Sequence, residues 1–105
     1  MELEQYANRA IRKGLEYDLT MDWLKDQLDK GCCAATGIKF KLYPKSSVLN
    51  PFLPSIDRID SSRGYTKDNC QVVIVGFNTL KSDNTNEEIL QFCKGYIKYY
   101  ENLLG

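Results

Sequence analysis

The 105-residue chain contains no histidine. Its absence removes the side chain that most often serves as general base at neutral pH, and the commonest metal ligand with it. Also missing is any C-x-x-C pair: the four cysteines, Cys32, Cys33, Cys70 and Cys93, are not spaced as a zinc knuckle. They are expected free and mostly buried, as in a reducing compartment. No apolar run approaches the roughly 20 residues that span a bilayer, and the start, "MELEQYANRA", is too polar and acidic for a signal peptide. A cytoplasmic chain with no membrane partner is expected. Finally there is no excess charge of either sign, with 14 basic and 14 acidic residues, which by itself argues against a strong nucleic-acid binder.

The balanced total hides an uneven distribution. Residues 1–30 and 82–105 each carry two more acidic than basic residues, whereas 31–81 holds seven basic against three acidic. A modest basic centre between acidic flanks fits a phosphate-facing surface. At this length one domain with a modest core is expected.

The hydrophobic pattern predicts an α+β chain. Leu3, Tyr6, Ala7, Ala10 and Ile11 share one face of a helix over 2–13, which Gly14 ends. Thr20 caps a second helix over 21–30, with Met21, Leu24 and Leu28 inward and Gly31 as its stop. "CCAATGIKFKLY" predicts a turn at Thr36-Gly37 with extended flanks, and "PKSSVLNPFLP", with three prolines, a loop. "SIDRID" is a short strand and "CQVVIVGF" a stronger, β-branched one. A helix then starts near Phe77. Thr85 and Glu88 form a capping box for a last helix over 85–104, whose Ile89, Phe92, Cys93, Tyr96, Ile97, Tyr100 and Leu103 are expected to dock on the core. The tyrosines of "YIKYY" are expected to pack there too.

The chemistry concentrates in the middle. A hairpin crossed by a helix brings Asp57, Arg58 and Asn78 together. One carboxylate and one amide oxygen suit a hard cation such as Mg²⁺, which takes the rest of its shell from water and phosphate. Arg58, Arg63, Lys67 and Lys81 lie where they can hold phosphate oxygens of a nucleic acid.

The run "PSIDRIDSSRGYTKDNCQVVIVGFNTLKSD" resembles the core of the HNH family of His-Me-finger (ββα-metal) nucleases, in particular phage-type proteins with a D-R-I-D variant of the usual Asp-His pair. "RAIRKGLEYDLTMDWLKDQLDKGCCAATGIKF" is similar to the lead-in of that group. The resemblance implies one domain, with a helical lead-in (1–31), a ββα core (32–82) and a C-terminal helix (85–104). It implies a Mg²⁺- or Mn²⁺-dependent endonuclease acting on double-stranded DNA, by nicking or cutting. Asp57 matches the metal-binding carboxylate, Arg58 the position of the general-base histidine, Asn69 the asparagine that ties the loop, Gly64 the loop glycine and Asn78 the final metal ligand. Where relatives hold a structural zinc, this chain has Cys33, Thr36, Ile74 and Phe77. No zinc is expected, and packing of Ile74 and Phe77 should take its place.

The missing histidine is the main departure. General-base catalysis contributes about 10²- to 10⁴-fold. Arginine, with a pKa above about 12, cannot replace it. Asp60, fourth in D-R-I-D, falls where a related group has histidine, so either Asp60 or metal-bound water would activate the nucleophile and Arg58 would clamp the phosphate. Asp60 can equally cap the "SSRGY" turn. The alternative function is an inactive HNH-fold protein that binds nucleic acid or another protein as an inhibitor.

Overall fold

The computed structural model describes residues 1–105 and contains four helices and one two-stranded antiparallel sheet. Helix α1 (Glu4–Lys13) ends at Gly14, whose φ of 65° is the left-handed conformation that glycine adopts without steric cost. Its inward face is narrower than the pattern predicts. Ala10 is buried and Leu3 and Tyr6 pack beside it, but Ile11 points to solvent. Helix α2 (Met21–Asp29) begins where Thr20 Oγ1 accepts the Trp23 N–H. Leu24 is its buried anchor and Leu28 is half-buried, while Met21 is exposed.

Residues 32–53 contain no full strand. Cys32 and Lys39 form a single antiparallel bridge around the Thr36-Gly37 turn. The rest is loop, closed by Asn50, which is 3% exposed and donates through Nδ2 to Lys41 O (2.8 Å) and Pro44 O (3.1 Å).

Strands β1 (Pro54–Arg58) and β2 (Cys70–Ile74) pair from Pro54↔Ile74 to Arg58↔Cys70. Proline is tolerated at the first position of this edge strand. Because side chains alternate along a strand, the sheet serves two clusters. Ile56, Cys70 and Val72 join Ala10, Leu19, Leu24 and Tyr65 in the main core. Val73, on the other face, packs with Cys33, and Ile74, at the strand end where alternation stops, joins them, flanked by Phe40, Phe52 and Phe77. The expected packing of Ile74 and Phe77 beside Cys33 is therefore present.

Helix α3 (Val75–Lys81) starts two residues before the predicted Phe77. The tertiary surroundings allow the early start. Leu53 O accepts the Val75 N–H and Pro51 O the Gly76 N–H, both at 2.8 Å, so first-turn donors that a helix leaves orphaned have partners in the loop. Helix α4 (Asn86–Leu104) carries the expected capping box of Thr85 and Glu88. Its stripe does not dock as predicted: Ile89 alone is buried, while Phe92, Tyr96, Ile97, Tyr100 and Leu103 are exposed. The reason is length: nineteen residues reach about 28 Å, whereas α3, the element α4 packs against, has only seven. "YIKYY" accordingly packs on itself, with Tyr96 and Tyr100 stacked at 5.7 Å.

Candidate functional site

The β1–loop–β2–α3 unit places Asp57 and Arg58 on opposite faces of β1. Asp57 faces its cross-strand partner Gln71, whose Nε2 donates to Asp57 Oδ2 at 2.9 Å. Lys81, at the end of α3, comes over the same face. Its ammonium donates to both Asp57 oxygens at 2.9 Å, to Arg58 O at 2.7 Å and to Ile59 O at 3.4 Å. The Lys81 and Asp57 side chains are 11% and 5% exposed. Lys81, expected among the phosphate contacts, is thus an internal counter-ion. Its four-carbon stem is long enough to cross from α3 to β1, and burying Asp57 without a cation would cost several kcal/mol.

Arg58 faces the other way. Its guanidinium lies over the Tyr65 ring at 4.9 Å from the centroid, and one nitrogen donates to Arg63 O at 3.0 Å. Tyr65 meets Tyr6 of α1 edge to face, with centroids 5.4 Å apart. On Tyr6 sits a second guanidinium, that of Arg9, at 5.1 Å. The sequence reading missed Arg9. The signal was there, since Arg9 stands three residues after Tyr6 and therefore beside it on a helix, but nothing local said that Tyr6 would meet Tyr65 and bring Arg9 to this cleft.

Arg9 and Arg58 line one polar cleft of about 150 Å³, with Asn78, Ser61, Ser82 and Asp83 also on its wall. Asn78 Nδ2 donates to Ser55 Oγ at 2.9 Å and Ile56 O at 3.2 Å. This fixes the amide against the edge of β1 and leaves its Oδ1 without a protein donor. Asp57 reaches the same cleft from behind. Asp57, Arg58 and Asn78 therefore all border one cleft, although the Asp57 carboxylate is turned to Lys81 and Gln71.

The remaining candidates belong to the loop. Asn69, 1% exposed, accepts the Asp60 N–H and donates to Asp60 O and Gly64 O. It ties both ends of the "DSSRG" turn. Gly64 has a steric reason to be glycine: a Cβ there would lie 2.2 Å from Glu16 O. Asp60 Oδ1 accepts from the Ser62 hydroxyl (2.6 Å) and backbone N–H (2.9 Å). These bonds, the hydroxyl first, hold its carboxyl below the ordinary value of 3.8, a direction that weakens it as a base. It does not line the cleft. Arg63 pairs with Asp68 at 3.1 Å, both exposed. Lys67 is exposed on the loop, with its backbone N–H on Asp18 Oδ1.

The donor set fits a divalent cation poorly. No group of three or more His, Cys, Asp or Glu side chains is placed to hold a metal ion. Both oxygens of the one buried carboxylate already bond Lys81, and a divalent ion beside that ammonium would be repelled. What the cleft offers as it stands is two forked cations, an amide and two hydroxyls, a set suited to phosphate oxygens. Asp83 on the rim restricts where a polyanion can lie.

Two viral proteins are similar to this chain. One is an uncharacterized 29.0 kDa protein in the dda-modA intergenic region of Enterobacteria phage T4, 32% identical over 89 residues, covering 85% of this chain and 34% of the phage protein. The other is uncharacterized protein R423 of Acanthamoeba polyphaga mimivirus, 30% identical over 99 residues, covering 91% of this chain and 17% of that protein. The chain thus spans about a third of one relative and about a sixth of the other. No protein-family model and no solved structure matches it. No helix is long and apolar enough to cross a membrane.

Proposed function

We propose that this domain grips the phosphodiester backbone of a nucleic acid, with the cleft between α1 and β1 as the phosphate site. The observation that carries the reading is the pair Arg9 and Arg58 on one cleft, each braced on a ring of the Tyr6–Tyr65 pair. A guanidinium held in place by an aromatic face loses less side-chain freedom when it meets phosphate. The reading is also supported by the resemblance of the run "PSIDRIDSSRGYTKDNCQVVIVGFNTLKSD" to the core of HNH nucleases. Here Lys81 provides the positive charge beside Asp57, so the grip needs no added cation.

A second reading is a metal-dependent endonuclease that nicks or cuts double-stranded DNA. It is supported by Asp57, Arg58 and Asn78 meeting at one cleft in the order of the HNH resemblance. It requires Asp57 to exchange Lys81 for a divalent ion.

One set of measurements separates the two. Fluorescence anisotropy with a labelled oligonucleotide in EDTA is expected to show binding, with the slope of log K against log salt reduced by about 1 in Arg9→Ala and again in Arg58→Ala. Supercoiled plasmid incubated with Mg²⁺ or Mn²⁺ is expected to stay intact. Nicking that disappears in Asp57→Ala and Asn78→Ala would establish the endonuclease instead. No binding in EDTA or with metal would remove both.

A further inference from the structure

A larger hollow adjoins the phosphate cleft. It has a volume of about 530 Å³ and is mainly apolar, with Leu42, Tyr43, Leu53 and Val75 among its walls and Lys45 on its rim. The hollow and the cleft meet at two places. Tyr6 lines the hollow while Arg9, stacked on it, lines the cleft. Ser55 lines the hollow while Asn78, which donates to its hydroxyl, lines the cleft. The outer edge of β1 therefore runs from one to the other.

The far wall is built. Buried Asn50 holds both Lys41 O and Pro44 O, the two carbonyls on either side of Leu42 and Tyr43. Lys41 N in turn donates to Phe52 O at 3.1 Å. Tyr43 is nevertheless 73% exposed, with the Lys45 ammonium 5.6 Å from its ring centre. An exposed aromatic ring on a tied backbone, beside a cation, is a poor way to complete a core and a good platform for a base next to a charged backbone.

From this continuity we propose that the hollow takes an unpaired nucleobase, stacked on Tyr43, from the strand whose phosphate sits between Arg9 and Arg58. The proposal rests on the phosphate-binding reading above and adds that the ligand is single-stranded at this point. Its volume suits a small aromatic ligand. A base still stacked in a duplex has no free face to offer the ring. Lys45, which lines the hollow, supplies the charge that the next phosphate along the strand would meet.

The test compares a short fluorescent single strand, in DNA and RNA versions, with its duplex and with the same strand made abasic, using wild type, Tyr43→Ala, Tyr43→Trp and Arg58→Ala. The intact strand should bind about tenfold tighter than the abasic strand or the duplex, and Tyr43→Ala should lose about tenfold. Tyr43→Trp should keep the affinity, because a larger ring still stacks. Preference for either sugar supports the proposal and identifies the strand. If Tyr43→Ala binds like wild type, or the abasic strand or duplex binds as well as the intact strand, the base site is overturned; loss in Arg58→Ala alone would leave the phosphate site standing. If no form binds, both fall. Tyr43 is exposed, so circular dichroism of the alanine variant should match wild type and separate lost binding from lost fold.

Discussion

Asp57 and Arg58 are consecutive residues of one five-residue strand, yet they occupy opposite kinds of surroundings. On the Asp57 face, Lys81 and Gln71 donate to a carboxylate that is 5% exposed, and two backbone carbonyls hold the Lys81 ammonium in place. On the Arg58 face, a guanidinium rests on an aromatic pair and looks into an open cleft shared with Arg9. The first arrangement leaves little bonding capacity for a ligand, and the second leaves most of it. Two adjacent charges in a motif thus carry different duties: one fixes α3 to the sheet, and the other is displayed.

The largest way to break this contrast is to remove the ammonium. Lys81→Met should destabilise the domain by about 3–5 kcal/mol, because it strands a buried carboxylate, and should lower Tm by more than about 10 °C. Asp57→Asn combined with Lys81→Met should be less damaging than Lys81→Met alone, since no buried charge is then left without a partner. Equal Tm values for the single and double variants would remove the pair from the account of stability. On the open face the expected balance reverses. Arg58→Ala gives up a cation–π contact and one exposed hydrogen bond, about 1 kcal/mol or less, so denaturant midpoints should shift little while oligonucleotide binding falls.

The smallest expected effect is on the loop that carries Tyr65. Asp60 is held below its ordinary pKa first by the Ser62 hydroxyl, and Asp68 first by the Thr66 hydroxyl and then by Arg63. Because both folded values are depressed, their contribution is complete above the ordinary value of 3.8 and is lost as pH falls below it. Amide shifts of Ser62 and Tyr65 should stay constant from neutral pH down to that range and then move, ahead of amides in β2. A loop that loosened in the neutral range would contradict this assignment.

Much of the frame was legible because its signals are local. Gly14, Thr20 and the Thr85–Glu88 box each act within one turn of chain, and each ends or starts a helix as read. The β-branched run of β2 and the hairpin pairing were legible for the same reason. The start of α3 was misplaced because its caps come from Leu53 and Pro51, far from it in sequence. The docking of α4 was overestimated because periodicity reports which residues share a face and says nothing of whether a surface lies opposite. In the site, the structural duty of Asn69 and the meeting of Asp57, Arg58 and Asn78 follow the motif. Arg9 was invisible to it, because it stands 49 residues from Arg58 and joins the cleft only through the Tyr6–Tyr65 contact.

By itself, then, the amino-acid order determines the helix limits set by capping residues, the β-hairpin and the clustering of chemistry around residues 57–78, since these depend on short-range propensity and on the alternation of a strand. It also determines that no imidazole can take part. Tertiary structure alone decided which charges are free. Lys81 and Arg58 are both cations beside Asp57 in the motif, but α3 turns Lys81 inward onto the carboxylate, whereas the Tyr65 ring and the Arg63 carbonyl hold the Arg58 guanidinium at the surface and α1 brings Arg9 to the same cleft. Charge availability depends on burial and on partners, and those come from elements distant in the chain.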